Sequence, residues 1–134
     1  MHLIAELEAD ASEVPRARHL LEEALRSWSS DEDAVDTALL LASELVTNAV
    51  RHGRPPVHVH AQMSQDGVVR VEVDDASGAP VRPQDPDVED VGGRGLQLVE
   101  MLSSAWGSRL ADTRHDDGRT GKCVWFELRS PGAA

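Results

Sequence analysis

At 134 residues the chain has room for one single-core domain of two layers and not for two ordinary domains; one domain over 1–134 is expected, with its core across about 12–128. Thirteen Lys and Arg against 24 Asp and Glu leave a net charge of −11, which repels a phosphate backbone and excludes nucleic acid as an expected partner. The longest apolar run, Ala38 to Ala42, is far below the roughly 20 residues of a membrane span, the lone Cys123 cannot form an internal disulfide, and no charged start leads into an apolar run, so a soluble cytoplasmic protein is expected.

From His2 to Asp10, Leu3, Ala5, Leu7 and Ala9 alternate with a set that only Ile4 makes less than polar, which predicts a first strand. Ser12 or Glu13 before Pro15 then opens a helix, in which Ala17, Leu20, Leu21, Ala24, Leu25 and Trp28 recur at helical spacing. Ser29 and Ser30 break it, and Ser30 or Asp31 caps a second helix whose acidic first turn suits the macrodipole. That helix runs into Leu39 to Gly53, LLLASELVTNAVRHG, apolar nearly all round at its start, as a buried helix is. It nevertheless carries Glu44 and Asn48 one turn apart on one face. Buried polar groups at that spacing either satisfy each other or face a pocket.

Arg54-Pro55-Pro56 gives an extended connection into Val57, Val59 and Ala61, which alternate with His58, His60 and Gln62. After a turn at Ser64 to Gly67, Val69, Val71 and Val73 alternate with Arg70, Glu72 and Asp74, predicting an antiparallel hairpin with one face on the core. Gly78 to Gly93, rich in proline and acid, reads as a loop; Arg94 to Ser104 reads as a helix beginning at glycines. Ala105 to Ala111 and Cys123 to Leu128 read as strands around the polar turn Asp112 to Gly121, and 129–134 as a frayed tail. The order implies an α/β (α+β) two-layer sandwich, a mixed sheet with helices on one face and an open polar face.

Three constellations carry chemistry. Gly92-Gly93-Arg94-Gly95-Leu96 at a helix start can bring backbone N–H groups up to a phosphate, or the glycines can simply end a loop. Asp75, in Asp75-Ala76-Ser77-Gly78, continues the period of Val71 and Val73 and so points inward, where it needs a donor such as an adenine amino group, unless it only bonds its own turn. Glu44 with Asn48 can activate a hydroxyl and ligate a hard cation, or form a satisfied core pair. Elsewhere the bland alternatives lead. His58 and His60 lack a third ligand at a recognisable spacing, Cys123 beside Lys122 reads as a half-buried structural cysteine, and Trp106 and Trp125 read as core or sheet-face residues.

Taken in order, SELVTNAVRHG, VEVDDAS, GGRGLQLV and GKCVWFEL resemble the nucleotide-binding boxes of the GHKL ATPase superfamily, the histidine-kinase-like ATPase fold shared with gyrase-type ATPases. They are most similar to those of short anti-sigma-factor serine/threonine kinases of the actinobacterial regulator type, over about Pro15 to Leu128. The resemblance implies ATP and Mg²⁺ as cofactors, with Asn48 as the metal ligand and Glu44 as the general base. By the same likeness Arg51 and His52 flank the phosphates, Asp75 receives the adenine amino group, and Ser77 stands where the superfamily often has glycine. Gly93, Arg94 and Gly95 wrap the phosphates and Leu96 packs under the nucleotide. Cys123 stands where relatives have a threonine in the water network of the adenine-binding aspartate, and because a thiol is a weaker donor and acceptor, weakened adenine binding is expected. Asp85, Asp87, Glu89 and Asp90 crowd a loop that should close over anionic phosphates.

The function implied is phosphorylation of a small antagonist protein, sequestration of a sigma factor, or both. The alternative is a non-catalytic nucleotide-binding or adaptor module that regulates a protein partner. Kinases of this group pair through their sheets or clasp a sigma factor, so a homodimer is open and a sheet edge or the first helix's stripe is a candidate partner surface. With no phosphoacceptor helix before the boxes, a histidine-kinase role is not expected.

Overall fold

The computed structural model describes residues 1–8, 10–29, 31–76, 91–114 and 120–129, with the backbone alone at 91–96, 111–114 and 120. Strand β1, His2–Leu7, leads into helix α1, Glu13–Trp28, and helix α2, Glu32–His52. Strands β2, Val57–Met63, and β3, Val68–Asp75, form the first hairpin; helix α3, Val91–Leu102, precedes the second, β4, Ala105–Arg114, with β5, Thr120–Arg129.

The two-layer α/β architecture is the one expected, but the mixed sheet is corrected: the order is β1-β2-β3-β5-β4 and every described pairing is antiparallel. The reason is connectivity. Two helices between β1 and β2 return the chain to the end it left, so β2 comes back antiparallel, and the two hairpins reverse by construction. A single helix separates β3 from β4, so these two run the same way, yet β5 lies between them and no parallel pair forms.

Helix α2 is the centre of the core. Asp31 caps it by accepting from the Ala34 N–H at 3.1 Å, and Glu32 and Asp33 follow in its first turn. Val35, Ala38, Leu39, Leu41, Ala42, Leu45 and Val46 are all buried, each large side chain contributing about 1.5–3 kcal/mol. α1 covers one flank with Ala17, Leu21 and Leu25, while Leu20, Ala24 and Trp28 are half-buried. From the sheet, Val57, Val59, Ala61, Val69, Val71, Val73, Val124, Phe126 and Leu128 face this layer. The strict alternation on β2 and β3 makes that face continuous and leaves Ile4 exposed on the other. Among the described residues no helix is long and apolar enough to cross a membrane.

Three elements differ in their bounds from expectation. β1 ends at Leu7 and does not run on to Asp10. α3 starts at Val91 rather than Arg94, taking Gly92, Gly93 and Gly95 into its first turns although glycine is a poor helix former; it packs against α2, which supplies what propensity lacks. The last hairpin is longer than its apolar runs, because ladder pairing carries β4 and β5 to Arg114 and Thr120.

The open face is polar, as expected. Arg70 bonds Glu72 at 2.9 Å and lies 4.2 Å above the Trp125 ring, and Arg109 reaches Glu72 at 3.0 Å. His60 meets His2 at 3.2 Å and His58 faces Glu6 at 3.8 Å. Trp125 therefore belongs to the outer face, whereas Trp106 packs against the core.

Candidate functional site

The C-terminal half of α2 runs beside the end of β3, and the two are fixed to each other by backbone. The Ala76 N–H donates to the Arg54 carbonyl at 2.8 Å, and the Gly53 N–H closes α2 on the Ala49 carbonyl at 2.9 Å. Gly53 is not in a left-handed conformation, since its φ is −89°. Its glycine has another reason: a Cβ there would stand 2.5 Å from both the Ala49 carbonyl oxygen and Asp75 Oδ2. The missing side chain is what admits the carboxylate.

Asp75 is 1% exposed, on the side of Val71 and Val73 as the period of two requires. A buried carboxylate costs several kcal/mol unless it is paired. One partner is Lys122, directly opposite on β5, with Nζ 3.8 Å from Oδ2 and a side chain only 12% exposed.

Asn48 is also buried, and its Oδ1 finds no hydrogen-bond partner among the described residues. An orphaned acceptor of this kind costs about 1–3 kcal/mol, so a group that accepts its lone pair repays the burial. The oxygen is hard, neutral and preorganised on a rigid helix, which fits one protein ligand of a Mg²⁺ ion whose other ligands are phosphate oxygens and water. Glu44 sits half-buried one turn earlier on the same face, and Arg51 and His52 are exposed in the last turn, each engaged with a partner.

The first turn of α3 carries Gly92, Gly93 and Arg94, whose N–H groups, like those opening any helix, have no intrahelical acceptor. The expected phosphate cradle is thus part of the helix itself rather than a loop leading into it. Gly95 lies in the same helix, as does Leu96, whose side chain is outside the described residues. Ser77 and the acidic loop residues Asp85, Asp87, Glu89 and Asp90 also lie outside them.

One expected site residue is not brought here. Cys123 pairs with Asp74 across the β3–β5 ladder, so its side chain is on the open face, the far side of the sheet from Asp75. There its thiol approaches Glu72 Oε1 at 3.6 Å; burial first, then the carboxylates of Asp74 and Glu72, push its pKa up. Glu72, Asp74 and Cys123 gather potential ligand atoms within 4.8 Å of one another, but Glu72 is already held by Arg70 and Arg109. The residue that sequence reasoning missed is Lys122. Alternation could have found it, because Val124, Phe126 and Leu128 are the apolar set of β5 and Lys122 continues their period while Cys123 does not.

Residues 7–128 match the family described as histidine kinase-like ATPase domain. No curated protein matches the chain. Among solved structures, the crystal structure of the RsbU and RsbW domains of Rv1364c from Mycobacterium tuberculosis is similar at 25% identity with a TM-score of 0.71, over 98% of this chain and 33% of that one. This chain therefore spans about a third of that neighbour. The histidine kinase domain from Erythrobacter litoralis EL346 blue-light activated histidine kinase is similar at 23% identity with a TM-score of 0.49, over 87% of this chain and 63% of that one. With the match running from the end of β1 to the end of β5, the chain belongs to the histidine kinase-like ATPase domain family, the GHKL type of ATP-binding fold.

Proposed function

We propose that the chain is an ATP- and Mg²⁺-dependent regulatory protein kinase of the anti-sigma type, acting on a serine or threonine of a small antagonist protein and sequestering a sigma factor when that antagonist is phosphorylated. The observation that carries this reading is the buried, unpartnered Asn48 Oδ1 one helical turn from Glu44, in a domain of the ATPase family. The 25% identity with a chain containing an RsbW domain supports a regulatory kinase over other members of the fold.

In this reading Asp75 accepts from the purine and fixes its depth, while α3's first-turn N–H groups meet the phosphates. Asn48 holds Mg²⁺, which when bound neutralises phosphate charge. Glu44 takes the proton of the attacking hydroxyl as that oxygen bonds the γ-phosphorus; the bond from γ-phosphorus to the bridging oxygen breaks, and ADP leaves with the electron pair. Such transfer asks mainly for positioning and charge complementarity, and a helix packed on both flanks provides the first.

Calorimetric titration with ATP and Mg²⁺ is the primary test, and absence of heat at millimolar nucleotide sinks the reading. Glu44→Gln separates it from a non-catalytic binding module. The variant should bind ATP within about threefold of the parent while transfer to a serine-bearing antagonist falls by about 10² or more; unchanged transfer favours the module.

A further inference from the structure

Lys122 and Asp75 form an ion pair in which both side chains are nearly buried, at 12% and 2% exposure. The pairing is built into the sheet, because the two residues are direct partners in the β3–β5 register and both project toward the helices. A side chain at Gly53 would run into the same Oδ2 that Lys122 approaches, so the carboxylate lies between a helix end and an ammonium. The pair therefore offers a strong acceptor and a strong donor side by side, where the family resemblance implied only the acceptor.

That difference bears on which base is read, given the proposed reading in which Asp75 faces the purine. Adenine presents a 6-amino donor beside the N1 acceptor. Guanine and hypoxanthine present the reverse, an O6 acceptor beside an N1–H donor. A carboxylate alone matches the first edge and repels O6. A carboxylate next to an ammonium matches both with the roles exchanged, and a lysine, a point charge with three donors on a flexible stem, can follow either edge.

We propose that Lys122 is a base-selecting residue, and that with Asp75 it lets the site take 6-oxopurine as well as 6-aminopurine nucleotides. The effect should be large, since a site that leaves a substrate's polar edge unpaired rejects it by factors of about 10⁴. Lys122 supplies a donor of the kind that O6 requires.

The test is equilibrium binding of ATP, GTP and ITP, each with Mg²⁺, by calorimetry or by displacement of a fluorescent nucleotide. The parent protein should bind ATP and GTP within about thirtyfold of each other. Lys122→Met should widen that ratio at least about tenfold through loss of GTP and ITP binding, and Lys122→Arg, which keeps a cationic donor, should stay near the parent. A parent that binds ATP but not millimolar GTP overturns the proposal, and so does a ratio that Lys122→Met leaves unchanged. If Lys122→Met does not fold by circular dichroism, the parent's ratio and that of Lys122→Arg still decide. Absence of binding by every nucleotide takes down both this inference and the site reading, whereas ATP binding that Asp75→Asn does not weaken removes the base-end assignment and the inference with it.

Discussion

Gly53 lies against Asp75 with no space for a side chain between them: a Cβ on the glycine would meet the carboxylate oxygen at 2.5 Å and its carbon at 2.6 Å. Neither neighbour gives way easily. The carboxylate is buried on a strand within the sheet, and the other obstacle is the backbone carbonyl of Ala49. Gly53→Ala should therefore cost about 1–3 kcal/mol in urea unfolding, the range for overpacking a tight site, and should also displace Asp75 and weaken ATP binding. Unchanged stability and unchanged affinity together would show that α2 and β3 can separate without consequence.

Asn48 and Asp75 act at opposite ends of the proposed site, and their variants should divide accordingly. Asn48→Ala removes a neutral oxygen that makes no hydrogen bond among the described residues, so the unliganded protein should lose little stability from that atom. Nucleotide affinity should fall about tenfold or more with Mg²⁺ present and hardly change in EDTA. Asp75→Asn should weaken ATP in both conditions. It should also destabilise the protein, because Lys122 is left buried beside a neutral amide. An Asn48→Ala effect that persists in EDTA would remove the metal-ligand assignment.

Glu44→Gln is the chemical counterpart of these binding variants. Glu44 is half-buried on the same face of α2 as Asn48, so the swap to a neutral isostere leaves shape and packing in place. Loss of transfer by about 10² or more at retained ATP affinity is expected, read as phosphate incorporation into an antagonist alongside calorimetry.

Much of this site was legible before any coordinates. The inward direction of Asp75 follows from a period of two after Val71 and Val73, and the burial of Asn48 follows from its place at helical spacing after the apolar residues Leu41 and Leu45 of α2. Long-range pairing was not legible. The insertion of β5 between β3 and β4 depends on which strand meets which, and nothing local in either hairpin specifies that. The likeness of Cys123 to a family position carries no information about which side of the strand the thiol occupies. A one-residue step moves a side chain through the sheet, so the register against β3 sets Lys122 beside Asp75 instead. The start of α3 was obscured for a different reason: glycines argue against a helix by propensity, and only packing on α2 overrides them.

Cys123→Thr follows from that correction. Because the side chain points to Glu72 and Asp74 on the open face, restoring the threonine of the relatives should change ATP affinity by no more than about twofold, as expected of sites that share no partner. A tenfold gain in affinity would mean that β5 pairs with β3 one residue out of the register described.

The same thiol predicts a dependence of stability on alkaline pH. Burial, reinforced by Asp74 and Glu72, raises the pKa of Cys123 above the ordinary value near 9.0 that it regains on unfolding. Around and above pH 9 the unfolded chain therefore gives up the thiol proton while the folded chain keeps it. The sign is fixed by that difference: the stabilisation is whole below about pH 9 and is lost as the pH climbs toward the folded-state value, by at most about 1.4 kcal/mol per pH unit. Urea unfolding from pH 7 to 10.5 should show this decline in the parent and a shallower one in Cys123→Ser, so that every contribution other than the thiol's cancels in the comparison. Reaction with a disulfide reagent at pH 8 supplies an independent reading. A buried, protonated thiol should react slowly in the folded protein and rapidly in urea. Equal rates in the two states, or identical alkaline limbs for parent and Cys123→Ser, would place the thiol in solvent and undo its assignment to the packed open face.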